Sequence, residues 1–257
     1  MRKTPILIAV TAITAITAAS AAMPVAANAA AATSATSATS TTSATSAASA
    51  ASALPTFDYR DCPQLPTGVD PAAWRCEVLI ADGTVTIGTS TAPFHFTAVT
   101  HAEGPMPDGS EGQVFGGFRA DRIEVPGRQS GDGHGPKLWM QPRLAAIPDF
   151  LSQSGAMSLT FQLTGPRLGD GCSIGTIEQP VQVAAERVPG TAGWISQDPP
   201  LIKFAAYDDT FTAPVAEGCG PLTAPLNRRL GLPKPSGNLM TYDATYTFRT
   251  YDQLPTS

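Results

Sequence analysis

The stretch from Gly218 to Phe248 constrains the fold of this chain more than any other part of the sequence. Leu222, Leu226 and Leu230 lie at i, i+4 and i+8, so their spacing predicts a helix of about two turns that Gly231 ends. The end of the stretch alternates apolar and polar residues, which predicts a half-buried last strand. Its apolar members are Tyr242, Ala244, Tyr246 and Phe248.

Residues 1–29 have the composition of a secretory signal peptide. Arg2 and Lys3 form a positive start, residues 5–22 carry no charge, and Ala27-Asn28-Ala29 matches a cleavage site. No later stretch has the roughly 18 continuous apolar residues of a membrane-spanning helix. We therefore expect a secreted or cell-wall-associated mature protein that has no transmembrane span.

Removal of that peptide leaves 14 Lys and Arg against 21 Asp and Glu, so the net charge changes from −5 to −7. An acidic chain whose basic residues are scattered argues against nucleic acid and against anionic membrane surfaces, because both select clustered Lys and Arg. Export also predicts that the four cysteines pair as two disulfides.

Residues 30–53 consist almost wholly of Ala, Ser and Thr, which lack the apolar side chains needed to offset the entropy of ordering. We expect a disordered tether there, with hydroxyl groups that could carry sugar. Residues 54–257 then form the folded domain, with a candidate sub-boundary near 165. Recurrent Gly and Pro and few helix-length patterns predict an all-β fold, a sandwich of mostly antiparallel strands with one or two short helices.

The clearest hairpin signal lies between Cys76 and Gly88. Asp82-Gly83 is a preferred pair for a two-residue type I′ turn, so Ile80 is expected to face Val85 and Val78 to face Ile87. These four apolar side chains would then share one side of the hairpin. Leu79 is the one large apolar residue that this register leaves on the polar side.

Other apolar runs predict further strands, and stretches rich in Gly, Pro and Asp predict long loops at Ala102–Gly117 and Gly127–Gly135. Pro142–Ser154 is expected to hold one helical turn at most. The predicted strands are Phe94–Thr100, Arg122–Val125, Lys137–Gln141, Ser158–Leu163, Glu178–Val188, Leu201–Ala205 and, with a weaker pattern, Thr210–Val215.

One quarter of the chain, Cys172–Asn238, resembles the C-terminal half of a group of secreted actinobacterial proteins of unknown function. The resemblance is carried by Cys172-Ser173-Ile174-Gly175, Phe211 to Leu222 around Gly218-Cys219-Gly220, Asn227, Gly231-Leu232-Pro233 and Ser236-Gly237-Asn238. It implies a β-sandwich with a bridge between Cys172 and Cys219, and it implies no activity or ligand.

Four cysteines allow three pairings. Cys62 and Cys76 are 14 positions apart with three prolines between them, which suits a closed loop that leads into the first predicted hairpin. Cys172 and Cys219 each follow a glycine and each border a predicted strand. We therefore predict the disulfides Cys62–Cys76 and Cys172–Cys219.

Catalytic and metal-binding patterns are weak. Gly171 to Gly175 matches the G-x-S-x-G elbow around Ser173, but a strand rather than a helix is predicted after it, and every histidine precedes it. His95, His101 and His134 are the only histidines. His95 and His101 are six positions apart, which would place them on one face of a continuous strand. A metal site built from them with Asp121 or Asp132 is disfavoured, because no established ligand spacing accompanies them.

Other polar and aromatic groups have ordinary structural explanations. Asp108 to Glu111 and Ser130 to His134 offer oxygen ligands without the spacing of a calcium loop. Adjacent carboxylates at Asp208-Asp209 would point to opposite faces and suggest the opening of a strand. Trp74 is expected in the core, whereas Trp139 and Trp194 are left open as core or ligand platform.

The sequence thus predicts a non-catalytic, envelope-associated or secreted binding or structural module, with no catalytic residues, metal or cofactor assigned. A cell-wall glycan or another envelope protein is the expected partner. The alternative is an extracellular hydrolase with its site in the Gly-rich loops around 101–135. A metal or an apolar pocket ringed by His101, Asp132 and His134 would favour the enzyme, and an open face with Trp139 or Trp194 would favour binding.

Overall fold

The computed structural model describes residues 55–126, 137–152 and 155–254, which belong to one compact unit. Within these ranges no helix is long and apolar enough to cross a membrane. The predicted signal peptide and the tether at 30–53 lie outside the described residues. The strands are β1 (Arg75–Ile87), β2 (Ser90–Pro105), β3 (Glu111–Ala120), β4 (Ile123–Val125), β5 (Leu138–Leu144), β6 (Ala156–Thr164), β7 (Ser173–Ile174), β8 (Val181–Ala184), β9 (Glu186–Arg187), β10 (Gly193–Gln197), β11 (Pro200–Asp208), β12 (Ala216–Glu217) and β13 (Leu239–Thr250).

These strands form two antiparallel sheets, as the all-β prediction requires. The larger sheet has the order β10-β11-β13-β1-β2-β3, with β9 paired to β11. The smaller sheet has the order β12-β7-β6-β5-β4, with β8 paired to β6. One buried apolar cluster joins the two, with Val85, Phe96 and Met240 from the larger sheet and Leu159 and Phe161 from the smaller. The fold is therefore a β-sandwich.

The predicted hairpin with its turn at Asp82-Gly83 is wrong, because β1 runs straight through both residues. β1 is a central strand between β13 and β2, and Gly83 admits the neighbouring strand: a Cβ there would lie 2.0 Å from the carbonyl oxygen of Thr241. The chain turns instead at Gly88, whose φ of +63° suits the first position of a type II′ turn. In a continuous strand Val78 and Val85 point to opposite faces, and Leu79 shares the face of Val85.

The predicted loop at Ala102–Gly117 is also wrong, since it contains the end of β2 and most of β3. One of the glycines that suggested a loop, Gly116, accommodates a neighbouring backbone: a Cβ there would lie 2.2 Å from the carbonyl oxygen of Asp61. Close packing of backbone is a recurrent reason for glycine within strands.

The remaining predicted elements agree better with the structure. The predicted helix is α1 (Thr223–Leu230), which buries Leu226 and Leu230 and ends at Gly231 with a φ of 68°. The run Glu178–Val188 splits into β8 and β9, whereas Thr210–Val215 forms no strand beyond a single bridge between Ala213 and Lys234. The predicted loop at Gly127–Gly135 lies wholly outside the described residues.

Both predicted disulfides are present. Cys172–Cys219 joins the start of β7 to the turn before α1, and both of its residues are buried in the main core. Cys62–Cys76 fastens the segment before β1 over the outer face of the larger sheet, where Val78, Ala98 and Tyr59 form a second apolar cluster. The N-terminal segment therefore covers one face of this sheet while the smaller sheet covers the other.

Two asparagines of the Cys172–Asn238 pattern have structural roles. Asn238 is 1% exposed; it accepts a hydrogen bond from the N–H of Gly88 and donates to the carbonyls of Phe211 and Lys234. Asn227 of α1 bonds both backbone groups of Ala216, at 2.7 and 3.0 Å. These amides complete backbone hydrogen bonding that strand pairing leaves open.

Candidate functional site

A cavity of about 540 Å³ lies at one end of the sandwich, against the inner face of the larger sheet. Its floor is formed by β1, β2, β11 and β13. Its other walls come from the segment before β6, from β6 itself and from β9, including Phe150, Met157 and Arg187. The guanidinium of Arg187 lies over the ring of Phe204, 4.7 Å from its centre.

An apolar row begins on the floor of this cavity, where Val99, Leu79 and Tyr246 line it, and continues along the larger sheet past the lining residues. Direct strand pairing places Val99 beside Leu79, Leu79 beside Tyr246, Tyr246 beside Ile202, and Ile202 beside Trp194. Directly paired residues in antiparallel strands point to the same face, so these five side chains form one line about 19 Å long across four strand spacings. Trp194, at the sheet edge, is 55% exposed, so the row runs from a buried end to an open one.

A charged cluster lies beside the buried end of the row. It consists of Arg75 and Glu77 on β1 and His101 and Glu103 on β2, which the pairs Glu77–His101 and Arg75–Glu103 bring together. Alternate residues of a strand share a face, so both members of each strand point into the cavity. Arg75 Nε lies 2.7 Å from Glu77 Oε1 and donates a 3.1 Å hydrogen bond to Glu103 Oε1.

His101 contacts the opposite side of both carboxylates. Its Nε2 atom lies 3.7 Å from Glu77 Oε2 and 3.4 Å from Glu103 Oε2. The imidazole is 8% exposed and stacks on the ring of Phe150, with 4.1 Å between centroids and 3° between planes. The ring is thereby held with one nitrogen directed at the two glutamates.

The stacking partner is itself held by one side chain of β3. Gln113 Oε1 accepts hydrogen bonds from the N–H groups of Phe150 and Leu151 at 3.0 and 3.3 Å, and Gln113 Nε2 donates to Asp149. The segment 149–151 is therefore tied to the sheet over His101, although it contains no strand.

The two glutamates have opposite pKa shifts. Burial raises the pKa of Glu77 above its ordinary value, against the lowering effect of Arg75 and His101. The imidazole of His101 and the guanidinium of Arg75 hold the pKa of Glu103 at about 2. Glu103 is therefore ionised at neutral pH, and the two carboxylates differ in proton affinity although they share partners.

Of the two histidines that the structure describes, His101 belongs to this cluster and His95 does not. The expectation that His95 and His101 share a face is wrong, because β2 has one extra residue between Phe96 and Val99. This bulge reverses the orientation of the residues that follow. His95 instead meets Asp82 at 2.7 Å on the other face, and Asp121 is exposed and outside the cluster. Asp132 and His134 lie outside the described residues.

The other polar motifs have local structural roles. Ser173 donates a 2.7 Å hydrogen bond to the carbonyl of Gly175. Asp108 accepts bonds from the N–H and hydroxyl of Ser110, as in a tight turn. Asp208 ends β11 rather than opening a strand, which corrects that expectation; it is buried and accepts bonds from Ala184 and Thr210.

The three tryptophans have different environments. Trp74 is fully buried and its indole donates to the carbonyl of Pro105 at 2.8 Å, as expected for a core residue. Trp139 is half-buried, and the cationic groups of Arg122 and Lys137 lie over its ring at 5.4 and 5.7 Å from the centroid. Only Trp194 offers a mostly exposed indole, and it does so on the row that leads into the cavity.

Neither a protein-family model nor a curated protein sequence matches this chain. The candidate site therefore rests on its own geometry.

Proposed function

We propose that this is an exported, non-catalytic binding protein of the cell envelope, which holds an extended cell-wall ligand along the apolar row that leads from the cavity floor to the edge of the larger sheet. The observation that carries the proposal is the continuous row from Val99 to Trp194. It combines an enclosed apolar end, an open aromatic end and a polar cluster at one side. Ligand sites commonly combine apolar walls with a few convergent polar groups.

A glycan or peptide fragment of the wall suits this geometry. Sugar rings and peptide side chains stack on aromatic faces such as those of Trp194 and Tyr246, while their hydroxyl, amine and amide groups need partners like Glu77 and Glu103. The length of the row, about 19 Å, matches several sugar or amino-acid units rather than one.

Three features support export. The N-terminal residues match a secretory signal, and the two disulfides are typical of proteins that mature in an oxidising compartment. The resemblance of Cys172–Asn238 to secreted actinobacterial proteins points the same way.

Titration calorimetry with soluble peptidoglycan fragments, together with sedimentation with purified actinobacterial cell wall, tests the proposal. Trp194→Ala removes the open end, and Leu79→Trp fills the enclosed end. We expect each to weaken binding at least about tenfold, the first by loss of an aromatic contact and the second by steric exclusion of the ligand. Trp139→Ala is the matched control, because Trp139 lies on β5 of the other sheet. Binding that survives both changes, or no binding by the wild type, would overturn the proposal.

A second candidate function is hydrolysis in the same cavity. The observation that favours it is the convergence of one imidazole and two carboxylates within 4.8 Å of one another. Such groups serve as acids and bases in the hydrolysis of glycosides and amides. The test is release of reducing ends or free amines from peptidoglycan. Activity that Glu103→Gln abolishes while wall binding persists would replace the binding function, and intact peptidoglycan after long incubation would exclude this candidate.

A further inference from the structure

The atoms of Glu77, His101 and Glu103 that face one another have the spacing of metal ligands. Glu77 Oε2 and Glu103 Oε2 lie 3.7 and 3.4 Å from His101 Nε2, and the set lies within 4.8 Å. Bonds of 2.0–2.2 Å in a tetrahedral zinc site separate neighbouring ligand atoms by about 3.4 Å. An ion placed among these three atoms would therefore need only small side-chain movements.

Arg75 orients the two carboxylates for this purpose. Its guanidinium holds the Oε1 atom of each glutamate and leaves both Oε2 atoms directed at His101. Supporting groups that hold the outer oxygen of a ligating carboxylate are a regular part of metal sites. With the imidazole neutral, as a metal ligand must be, one guanidinium charge against two carboxylates leaves the cluster with a net negative charge, which favours a cation.

The imidazole is likewise placed in advance. His101 is 8% exposed, and the parallel ring of Phe150 fixes the plane of its imidazole. A side chain that is already held in place loses little entropy when it binds an ion, so the binding free energy is not reduced by the cost of ordering the site.

We propose that Glu77, His101 and Glu103 bind one divalent transition-metal ion, with Zn²⁺ as the best match. An imidazole with two carboxylates suits Zn²⁺ and its first-row neighbours, whereas Ca²⁺ and Mg²⁺ select sets made of oxygen and usually more ligands. All three residues line the cavity, so the fourth position of a tetrahedral ion is open to its contents. The proposal does not depend on the wall ligand, because the ion alone is the probe.

The test uses tag-free, chelator-treated full-length protein, titrated with Zn²⁺ by calorimetry and with Co²⁺ by visible absorption. We expect one ion per chain, a Co²⁺ spectrum of a four-coordinate site, and no comparable binding of Ca²⁺ or Mg²⁺. His101→Ala and Glu103→Gln should each weaken Zn²⁺ binding more than about 100-fold, beyond the 10–100-fold that loss of a supporting residue costs.

His95→Ala is the matched control. His95 pairs with Asp82 on the same two strands but meets a single carboxylate, so its loss should leave Zn²⁺ affinity unchanged. Circular dichroism and the melting temperature show whether each variant is folded. Because a variant of a buried site can fail to fold, the wild type provides a second measurement. Of its three histidines, only His101 should show a shifted imidazole resonance when Zn²⁺ is added.

Two results would overturn the proposal. One is a folded wild type that binds neither Zn²⁺ nor Co²⁺ in a one-to-one ratio, which would leave the cluster as an ion-pair network. The other is binding that shifts His95 or His134 instead of His101, or that His101→Ala retains, which would place the ion elsewhere.

Discussion

At the scale of single residues, Gly83 shows how a turn-like dipeptide can belong to the middle of a strand. A Cβ at this position would lie 2.0 Å from the carbonyl oxygen of Thr241 and 2.8 Å from Tyr242 Cα, both in the backbone of β13. Backbone cannot rotate away from such a contact. We therefore expect Gly83→Ala to lower the free energy of unfolding by about 1–3 kcal/mol or more, measured by urea denaturation.

Gly193→Ala is the control for that substitution. Gly193 also lies in a strand of the larger sheet, but nothing surrounds the position of its Cβ within 4 Å. The change should alter stability by no more than about 0.5 kcal/mol. Equal effects of the two substitutions would contradict the close approach of β13 to Gly83.

The buried phenol of Tyr242 makes the stability of the fold depend on pH. Burial raises the pKa of its phenol to about 12, whereas an unfolded tyrosine has a pKa of about 10. A group whose pKa is higher in the folded state contributes stability that is complete below pH 10 and is lost as the pH rises towards 12. The free energy of unfolding should therefore fall across this range, and Tyr242→Phe should make the fall shallower.

Tyr251 provides an internal comparison, since burial also raises its pKa to about 12. Titration of phenolate absorbance should show both groups ionising late in the wild type and one fewer in Tyr242→Phe. A variant whose stability declines with pH as steeply as that of the wild type would refute the role of Tyr242.

At the scale of elements, the side chain of Gln113 on β3 holds the segment 149–151, which covers the charged cluster. Gln113→Ala removes the acceptor for two backbone N–H groups, at Phe150 and Leu151. At about 1 kcal/mol for each hydrogen bond, the segment 149–151 should open at least tenfold more often. Hydrogen exchange of these two amides measures the change directly.

Gln162→Ala is a suitable control for the cover, because Gln162 bonds the carbonyl of Asp170 and not the segment 149–151. Exchange at Phe150 and Leu151 should be the same in this variant as in the wild type. If Gln113→Ala also leaves their exchange unchanged, other contacts hold the cover and Gln113 is incidental to it.

At the scale of the whole molecule, the two disulfides should contribute unequally to the stability of the fold. They close loops of 14 and 47 residues, worth about 3 and 4 kcal/mol in the chain-entropy description. Cys172–Cys219 also lies in the main core, whereas Cys62–Cys76 fastens a covering segment. We expect paired Cys→Ala changes at 172 and 219 to lower the melting temperature more than the same changes at 62 and 76. The reverse order would show that the covering segment matters more to the fold.

Much of the architecture could be predicted from local patterns. The helix that Gly231 ends, the existence of the last strand β13 and both disulfides follow from local patterns along the chain, and all are present. The predicted half-burial of β13 is not, because Thr247 on its polar side is 2% exposed. The candidate site could not be predicted in this way. Arg75 and Glu77 lie at alternate positions of one strand, and His101 and Glu103 at alternate positions of the next, so each pair shares one face. The expected turn at Asp82-Gly83, however, would have kept the two pairs apart.

The sequence by itself determined the class of this protein: an all-β chain, stapled by two disulfides, with one short helix before its last strand. These properties depend on residue type and short-range periodicity, which the chain carries without reference to its folded partners. The tertiary structure alone decided which residues meet. The close packing of Gly83 against β13 removed the expected turn, and one extra residue in β2 turned His101 towards the cavity while His95 turned away. A shift of one residue exchanges the two faces of a strand. The cluster of Glu77, His101 and Glu103 therefore depends on the register between strands that are distant in sequence, and no local pattern encodes that register.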